Sequence, residues 1–276
     1  MTAASRAAFA AVVRADPVDL ARACLLLAQE ADPGLDPDAF LSDLDALAAA
    51  AGPHVRGRQE PRDLAEGLQR ALGDEAGFSG VAQEAPDLRS SLLHEVLKRR
   101  RGLPILLSVV WLEVARRLGV PAHGVGLPGH FVVGVGEPGQ AQLVDPFHGG
   151  RLLAREEADA QVRSLTGRGL VRSDLEPTPP DTLLLRVLTN IRALSARPDP
   201  SLASTRTHLW SVELALLLPR HPAALRRERG EVLGRLGRFS EGGDELRAYA
   251  DAVRAVDPET ALAVERAARA LRARLN

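Results

Sequence analysis

The stretch PILLSVVWLEVARRLG, residues 104–119, constrains the fold more than any other part of the chain. Pro104 suits the first position of a helix, and Gly119 suits the residue that ends one. A helix without a polar face has to be covered on all sides by other elements. The first half of this segment has no polar face, since it contains Ile105, Leu106, Leu107, Val109, Val110 and Trp111. The sequence therefore predicts a helix buried at the centre of its domain.

Short strands are predicted directly after this helix, because apolar residues alternate there and GEPGQ (136–140) has the composition of a hairpin turn. The predicted strands cover residues 122–127, 130–136 and 141–145. Before the central helix, apolar residues at helical spacing predict helices within 8–51, 60–72 and 88–100. Asp16-Pro17 and Asp36-Pro37 are typical helix starts. These elements together predict an α+β domain with a small antiparallel sheet.

A proline-rich segment, SDLEPTPPD at 173–181, predicts a linker between two domains. Residues 1–172 would form the α+β domain, and residues 182–276 are predicted to form helical hairpins. Gly230, Leu233, Gly237 and Phe239 resemble the packing positions of a tetratricopeptide hairpin. We expect these hairpins to offer a surface for a protein partner.

The charge balance and the apolar segments exclude several classes of function. The chain has 35 basic and 36 acidic residues, and its basic runs contain no aromatic residues for base stacking, so no nucleic-acid partner is predicted. No apolar run reaches 18 residues, so no membrane span is expected. The N-terminus makes a poor signal peptide, and the predicted location is the cytoplasm.

His130 and Asp145 are the strongest candidate site residues. His130 lies at the start of the second predicted strand, in GLPGHFVVGV, and Asp145 ends the third, in LVDPF. A hairpin centred between Pro138 and Gly139 places His130 opposite residue 147, diagonal to Asp145 on the same face. The pair could serve as the base and the orienting carboxylate of a nucleophilic triad. It could equally be a strand anchor and a turn cap.

Other candidate sites are weaker. Both G-x-G-x-x-G matches, at 124–129 and 134–139, carry proline and lead into strand or turn, so no nucleotide cofactor is predicted. No metal-binding frame joins His123, His130 and His148, although Asp145 with one or two of these histidines stays an alternative. Cys24 is the only cysteine, and its apolar helical surroundings predict a buried, inert thiol.

Residues 95–150 resemble the transglutaminase-like superfamily. The segment EVLKRRRGLPILLSVVWLEVARRLGVPAHGVGLPGHFVVGV, followed by LVDPFHGG, is most similar to a bacterial branch, the Sir-B type, which joins a transglutaminase-like core to C-terminal tetratricopeptide-type helices. The resemblance implies a papain-like core with N-terminal helices around it. In active members a cysteine begins the central helix, a histidine begins one strand and an aspartate ends the next.

The resemblance places His130 and Asp145 in the second and third triad positions, and the cysteine position falls on Pro104. It therefore implies a non-catalytic binding or regulatory module without its nucleophile. The central helix and the strands are expected to leave a cleft between them, lined by Pro104, Ser108, Gly126, Pro128, Gly129, His130 and Asp145.

Two enzymatic alternatives remain. A hydrolase or peptidase would use His130 and Asp145 to activate water or Ser108, although Ser108 is expected to serve helix packing. A metal-assisted enzyme would add His148. Four further polar residues are candidates: Ser90 and Ser91, which precede the helix, and Glu113 and His94, which are expected on solvated helix faces.

Overall fold

The computed structural model describes residues 3–81, 87–196 and 201–274. The chain divides into two compact units, Met1–Leu183 and Leu184–Asn276. The first unit contains the predicted central helix and the sheet, and the described part of the second is helical. The predicted α+β class is confirmed for this chain.

Helices form the N-terminal part of the first unit. They are α1 (Ala3–Val12), α2 (Leu20–Ala28), α3 (Pro37–Val55) and α4 (Pro61–Leu68), and a π-helical segment, Gln69–Glu75, continues from α4. The predicted start at Asp36-Pro37 is confirmed, because the Asp36 carboxylate accepts the Asp38 N–H at 3.0 Å. The predicted start at Asp16-Pro17 is wrong. The carboxylate of Asp19 caps α2 instead, by accepting the Arg22 N–H at 2.9 Å.

The central helix is α6 (Pro104–Arg117), which follows the strand pair β1 (Ser79–Gly80) and β2 (Arg101–Gly102) and helix α5 (Leu93–Arg99). Pro104 takes the first helical position, and Gly119, in the left-handed conformation with φ of +66°, follows the end of the helix. All six of the apolar side chains that predicted a covered helix are buried. Trp111 is fully buried, so the helix lies inside the unit as predicted.

The antiparallel sheet has four strands in the order β3-β4-β5-β6. They are β3 (Ala122–Val125), β4 (Val132–Val135), β5 (Gln142–Asp145) and β6 (Arg151–Leu153). Val133 lies opposite Val144 in the β4–β5 register, which is the predicted hairpin register. Strand β6 is not signalled by any pattern in the sequence. Its three residues pair with β5 and are followed by helix α7 (Arg155–Thr166).

The proline-rich segment 173–181 lies within the first unit. The Thr178 N–H donates to the carbonyl of Gly124 at 2.8 Å, and Pro177 bridges to Val125. The segment therefore hydrogen-bonds to β3. The domain boundaries given above stay a prediction.

The described residues that follow form five helices: α8 (Pro180–Ser195), α9 (Leu202–Ala215), α10 (Ala224–Arg235), α11 (Phe239–Val253) and α12 (Pro258–Ala273). Glycines allow α10 and α11 to approach closely, since a Cβ at Gly230 would lie 2.9 Å from the carbonyl oxygen of Gly242. The tetratricopeptide-like character of these helices stays a prediction. Within the described ranges, no helix is both long enough and apolar enough to cross a bilayer.

Candidate functional site

The turn before β4 places His130 at the edge of the sheet. Gly129 adopts the left-handed conformation, with φ of +71°, which favours glycine. The His130 N–H then donates to the carbonyl of Leu127 at 3.1 Å. Leu165 of α7 covers the turn, so that a Cβ at Gly129 would lie 2.5 Å from its Cδ1. Backbone geometry and packing together fix the start of β4. The other predicted cleft residues of this turn, Gly126 and Pro128, are half-buried.

The structure brings His130 and Asp145 together. The Nε2 atom of His130 lies 3.0 Å from Oδ2 of Asp145. The Asp145 side chain is 0% exposed and that of His130 is 17% exposed, so the imidazole is the solvent-facing member of the pair. This geometry is that of a base and its orienting carboxylate.

A second histidine contacts the same carboxylate oxygen. His148 Nδ1 lies 2.7 Å from Asp145 Oδ2, and the other carboxylate oxygen, Oδ1, accepts the Phe147 N–H at 3.0 Å. Burial raises the pKa of Asp145, but the contacts with His130 and His148 outweigh it and hold that pKa below its ordinary value. Asp145 is therefore a charged carboxylate at neutral pH. The contact between Asp145 and His148 has a signal in the sequence, because the two residues lie three positions apart within a turn.

The Phe147 ring links this cluster to the strand pair β1–β2. It meets the rings of His130 and His148 edge-on, with centroid distances of 6.1 and 5.3 Å. A Cβ at Gly80 would lie 2.5 Å from two atoms of the ring, so only glycine leaves room for it. The close approach of Gly80 and Phe147 was not predictable from their separation in sequence.

Pro104 begins α6, and Leu103 is the residue that precedes the helix. The Leu103 N–H donates to the carbonyl of Ser90 at 3.0 Å. Ser108 is fully buried, and its Oγ donates to the Pro104 carbonyl at 2.9 Å within the same helix. A hydroxyl engaged in this way serves helix packing, as expected from the sequence.

The remaining candidate nucleophiles are also buried. Ser90 Oγ donates to Asp87 Oδ1 at 3.0 Å, and Ser91 is 0% exposed. Burial raises the pKa of the Cys24 thiol far above its ordinary value, and the charges of Glu113 and Asp19 add to that shift. Cys24 is thus a neutral thiol inside the unit.

The expectation that Glu113 and His94 lie on solvated helix faces is wrong. Each is 3% exposed. Glu113 is buried because Arg116 and Arg117 neutralise it, with Nη–Oε2 distances of 3.0 and 2.5 Å. His94 packs edge-on against Phe40 at a centroid distance of 5.8 Å, and burial lowers its pKa.

Within the described ranges, one group of three side chains has donor atoms close enough to hold a metal ion. His130, Asp145 and His148 each offer one such atom, and these atoms lie within 4.8 Å of one another. His123 lies elsewhere on the sheet, opposite Gly134 in the β3–β4 register.

Known proteins resemble this chain over most of its length. A family model described as transglutaminase-like superfamily matches residues 38–189. A UPF0162 protein of Xylella fastidiosa is 34% identical over 249 residues, which cover 87% of this chain and 85% of the relative. A UPF0162 protein of Pseudomonas aeruginosa is 32% identical over 200 residues, or 72% of this chain and 73% of the relative.

A crystal structure of menin is similar to this chain with a TM-score of 0.39 and 13% identity, covering 89% of this chain and 68% of menin. The family match spans α3 to α8 and so includes the central helix, the sheet, His130 and Asp145. The chain belongs to the transglutaminase-like superfamily.

Proposed function

We propose that this protein is a non-catalytic member of its superfamily, a cytoplasmic module that binds a protein partner and has a regulatory role. One observation carries the proposal: Pro104, which has neither a thiol nor an N–H, is the first residue of α6, where the family resemblance places the nucleophilic cysteine. The only thiol, that of Cys24, is buried and neutral.

The hydrolase alternative is less well supported. A nucleophilic Ser108 would need to be exposed and within reach of His130. Its hydroxyl is instead fully buried and donates to the carbonyl of Pro104. Activation of water by His130 and Asp145 keeps a chemical basis, because the His130 ring is partly exposed.

The experiment that tests the proposal restores the thiol. In a Cys24→Ala background, Pro104→Cys places a thiol at a helix N-terminus on the side where we expect His130. Such surroundings lower a cysteine pKa from about 8.5 to about 3.5–7.5. The rate of alkylation by iodoacetamide, followed against pH, reports this pKa. Leu103→Cys is the register control.

We expect one of the two thiols to titrate well below about 8.5. Adding His130→Ala to that variant should remove most of the shift. If both thiols have a pKa near about 8.5 and His130→Ala does not change it, the cleft lacks triad geometry and the proposal is wrong. Hydrolysis or acyl transfer by the unmodified protein would also overturn it.

The proposed partner surface lies on the helices of the second unit. Leu262 on α12 is 54% exposed, and Val256, before α12, is 89% exposed. Exposed apolar side chains on these helices are groups that a protein partner could bury. In the full chain, a Leu262→Glu and Val256→Glu double variant should lose co-purification of a partner. Val171→Glu is the control, because Val171 is an exposed apolar residue of the first unit.

A further inference from the structure

The carboxylate of Asp145 has one more histidine partner than a triad uses. In a triad, one carboxylate oxygen orients one imidazole. Here two imidazole nitrogens converge on Oδ2 of Asp145, His130 Nε2 at 3.0 Å and His148 Nδ1 at 2.7 Å. The family resemblance assigns no role to His148. The three donor atoms together form a set of two nitrogens and one carboxylate oxygen.

The positions of these donors are fixed by the surrounding backbone. The Phe147 N–H holds Oδ1 of Asp145, which turns Oδ2 towards the two rings. The turn Pro146–His148 and the left-handed Gly149 that follows it set the direction of the His148 side chain. A metal site requires this kind of orientation of its ligands by neighbouring groups. His148 is 55% exposed, which leaves an open side for water or an exogenous ligand.

We propose that His130, Asp145 and His148 bind a divalent first-row transition metal of the Zn²⁺ class. Two imidazoles and one carboxylate are the ligand set that such ions use at sites with an open position. Metal–donor bonds of about 2.0–2.2 Å place two ligands of one ion up to about 4.2 Å apart. The three donor atoms already lie within 4.8 Å of one another, so a small movement of the half-exposed His148 ring brings all of them onto one ion.

The ion would bind the ring nitrogens that face Asp145, so each ring has to present an unprotonated nitrogen there and carry its single proton on the other nitrogen, and only the extra proton of an imidazolium would leave to solvent. This inference deepens the proposed function and rests on it in one respect, that the cleft is a binding site rather than a thiol active site. It names the ligand that the cleft would take.

Titration of metal into the full-length protein tests the inference. Chelator-treated protein is titrated with Zn²⁺ by calorimetry and with Co²⁺ by visible absorption, which reports the coordination of the ion. The variants are His148→Ala and His130→Ala. The matched control is His221→Ala, since His221 lies in the second unit and its Nδ1 contacts the Leu218 carbonyl at 2.8 Å.

We expect one ion per chain for the unmodified protein and for His221→Ala. Loss of a group that merely supports a ligand weakens metal binding about 10–100-fold, so loss of His148 or His130 should weaken it by at least that factor. Circular dichroism confirms that each variant is folded; because His148 is half exposed, its removal should not disturb the fold. The inference is overturned if the unmodified protein binds no stoichiometric Zn²⁺, or if His148→Ala and His130→Ala bind it unchanged.

The two proposals fail in different ways. If the protein binds no metal, the inference about the ligand is wrong, but the alkylation result for Pro104→Cys does not change. Hydrolysis that requires the bound ion would overturn the non-catalytic proposal while supporting the metal site.

Discussion

Gly80→Ala should destabilise the first unit by displacing a ring of the candidate site. The added Cβ would lie 2.5 Å from Cδ2 and Cζ of Phe147, so the ring has to move by about 1 Å to reach a normal contact distance. Overpacking of this kind costs about 1–3 kcal/mol. Phe147 is half-buried and its ring can swing towards solvent, which favours the lower part of that range.

Urea unfolding followed by tryptophan fluorescence measures this cost. Every protein in the series carries Trp210→Phe, so that Trp111, which is fully buried in the same unit as Gly80, is the reporter. Gly52→Ala is the matched control. A Cβ at Gly52 would make an ordinary contact of 3.7 Å with Leu118 Cδ2. Because Pro53 crowds a Cβ on the residue before it, the usual gain of about 0.5–1 kcal/mol from alanine in a helix is an upper limit for this change.

A double-mutant cycle decides whether the Phe147 ring is the cause. Phe147→Leu shortens the side chain that the new methyl group meets. The free energy of unfolding should therefore fall less in the double variant, Gly80→Ala with Phe147→Leu, than the sum of its falls in the two single variants. The difference, the coupling energy, should be about 0.5–3 kcal/mol. If the two losses add to within about 0.3–0.5 kcal/mol, the contact between Gly80 and Phe147 does not exist as described.

Three further predictions concern single positions of the first unit. Cys24→Ala should cost about 1 kcal/mol at most and leave partner binding intact; lost binding with an unchanged melting curve would contradict its inert role. Gly73→Ala should prevent stable folding, since the new Cβ would lie 2.8 Å from the backbone carbonyl carbon of Gly149, and a normal yield and melting temperature would refute this. Burial lowers the pKa of His94 in the folded protein. The stability that the neutral imidazole contributes is therefore present above the unfolded pKa of about 6.5 and is lost as the pH falls through the lower folded pKa. Between pH 7 and 5 the free energy of unfolding should fall less steeply for His94→Leu than for the unmodified protein, and equal slopes would contradict this.

The central helix and the hairpin were predictable because local patterns determine them. The helix α6 has no polar face in its first half, so burial was the one outcome consistent with its composition. The β4–β5 register follows from the position of the glycine and proline in the turn, and this register alone predicts that His130 lies beside Asp145. Asp36-Pro37 carries its own capping group and so predicted the start of α3.

What sequence reasoning missed depends on contacts between distant residues or on very short elements. Strand β6 has three residues, too few to show alternation. Glu113 is expected on a solvated helix face, yet Arg116 and Arg117 follow it at i+3 and i+4 and make its burial possible. The contact between Gly80 and Phe147 joins segments 67 residues apart, and no local pattern signals it.

The burial of Asp145 explains why two histidines remain beside it without a nucleophile. A buried carboxylate that loses its partners is strongly destabilising, so His130 and His148 have a structural reason to be present even in a protein without catalysis. That reason does not require both rings, because one imidazole and the Phe147 N–H already engage the two oxygens of Asp145. The second ring is half exposed and gains little from pairing in water. A bound cation would use both rings and would neutralise the buried charge directly. The metal titration of His148→Ala is therefore the measurement that separates a binding role for this cluster from a structural one.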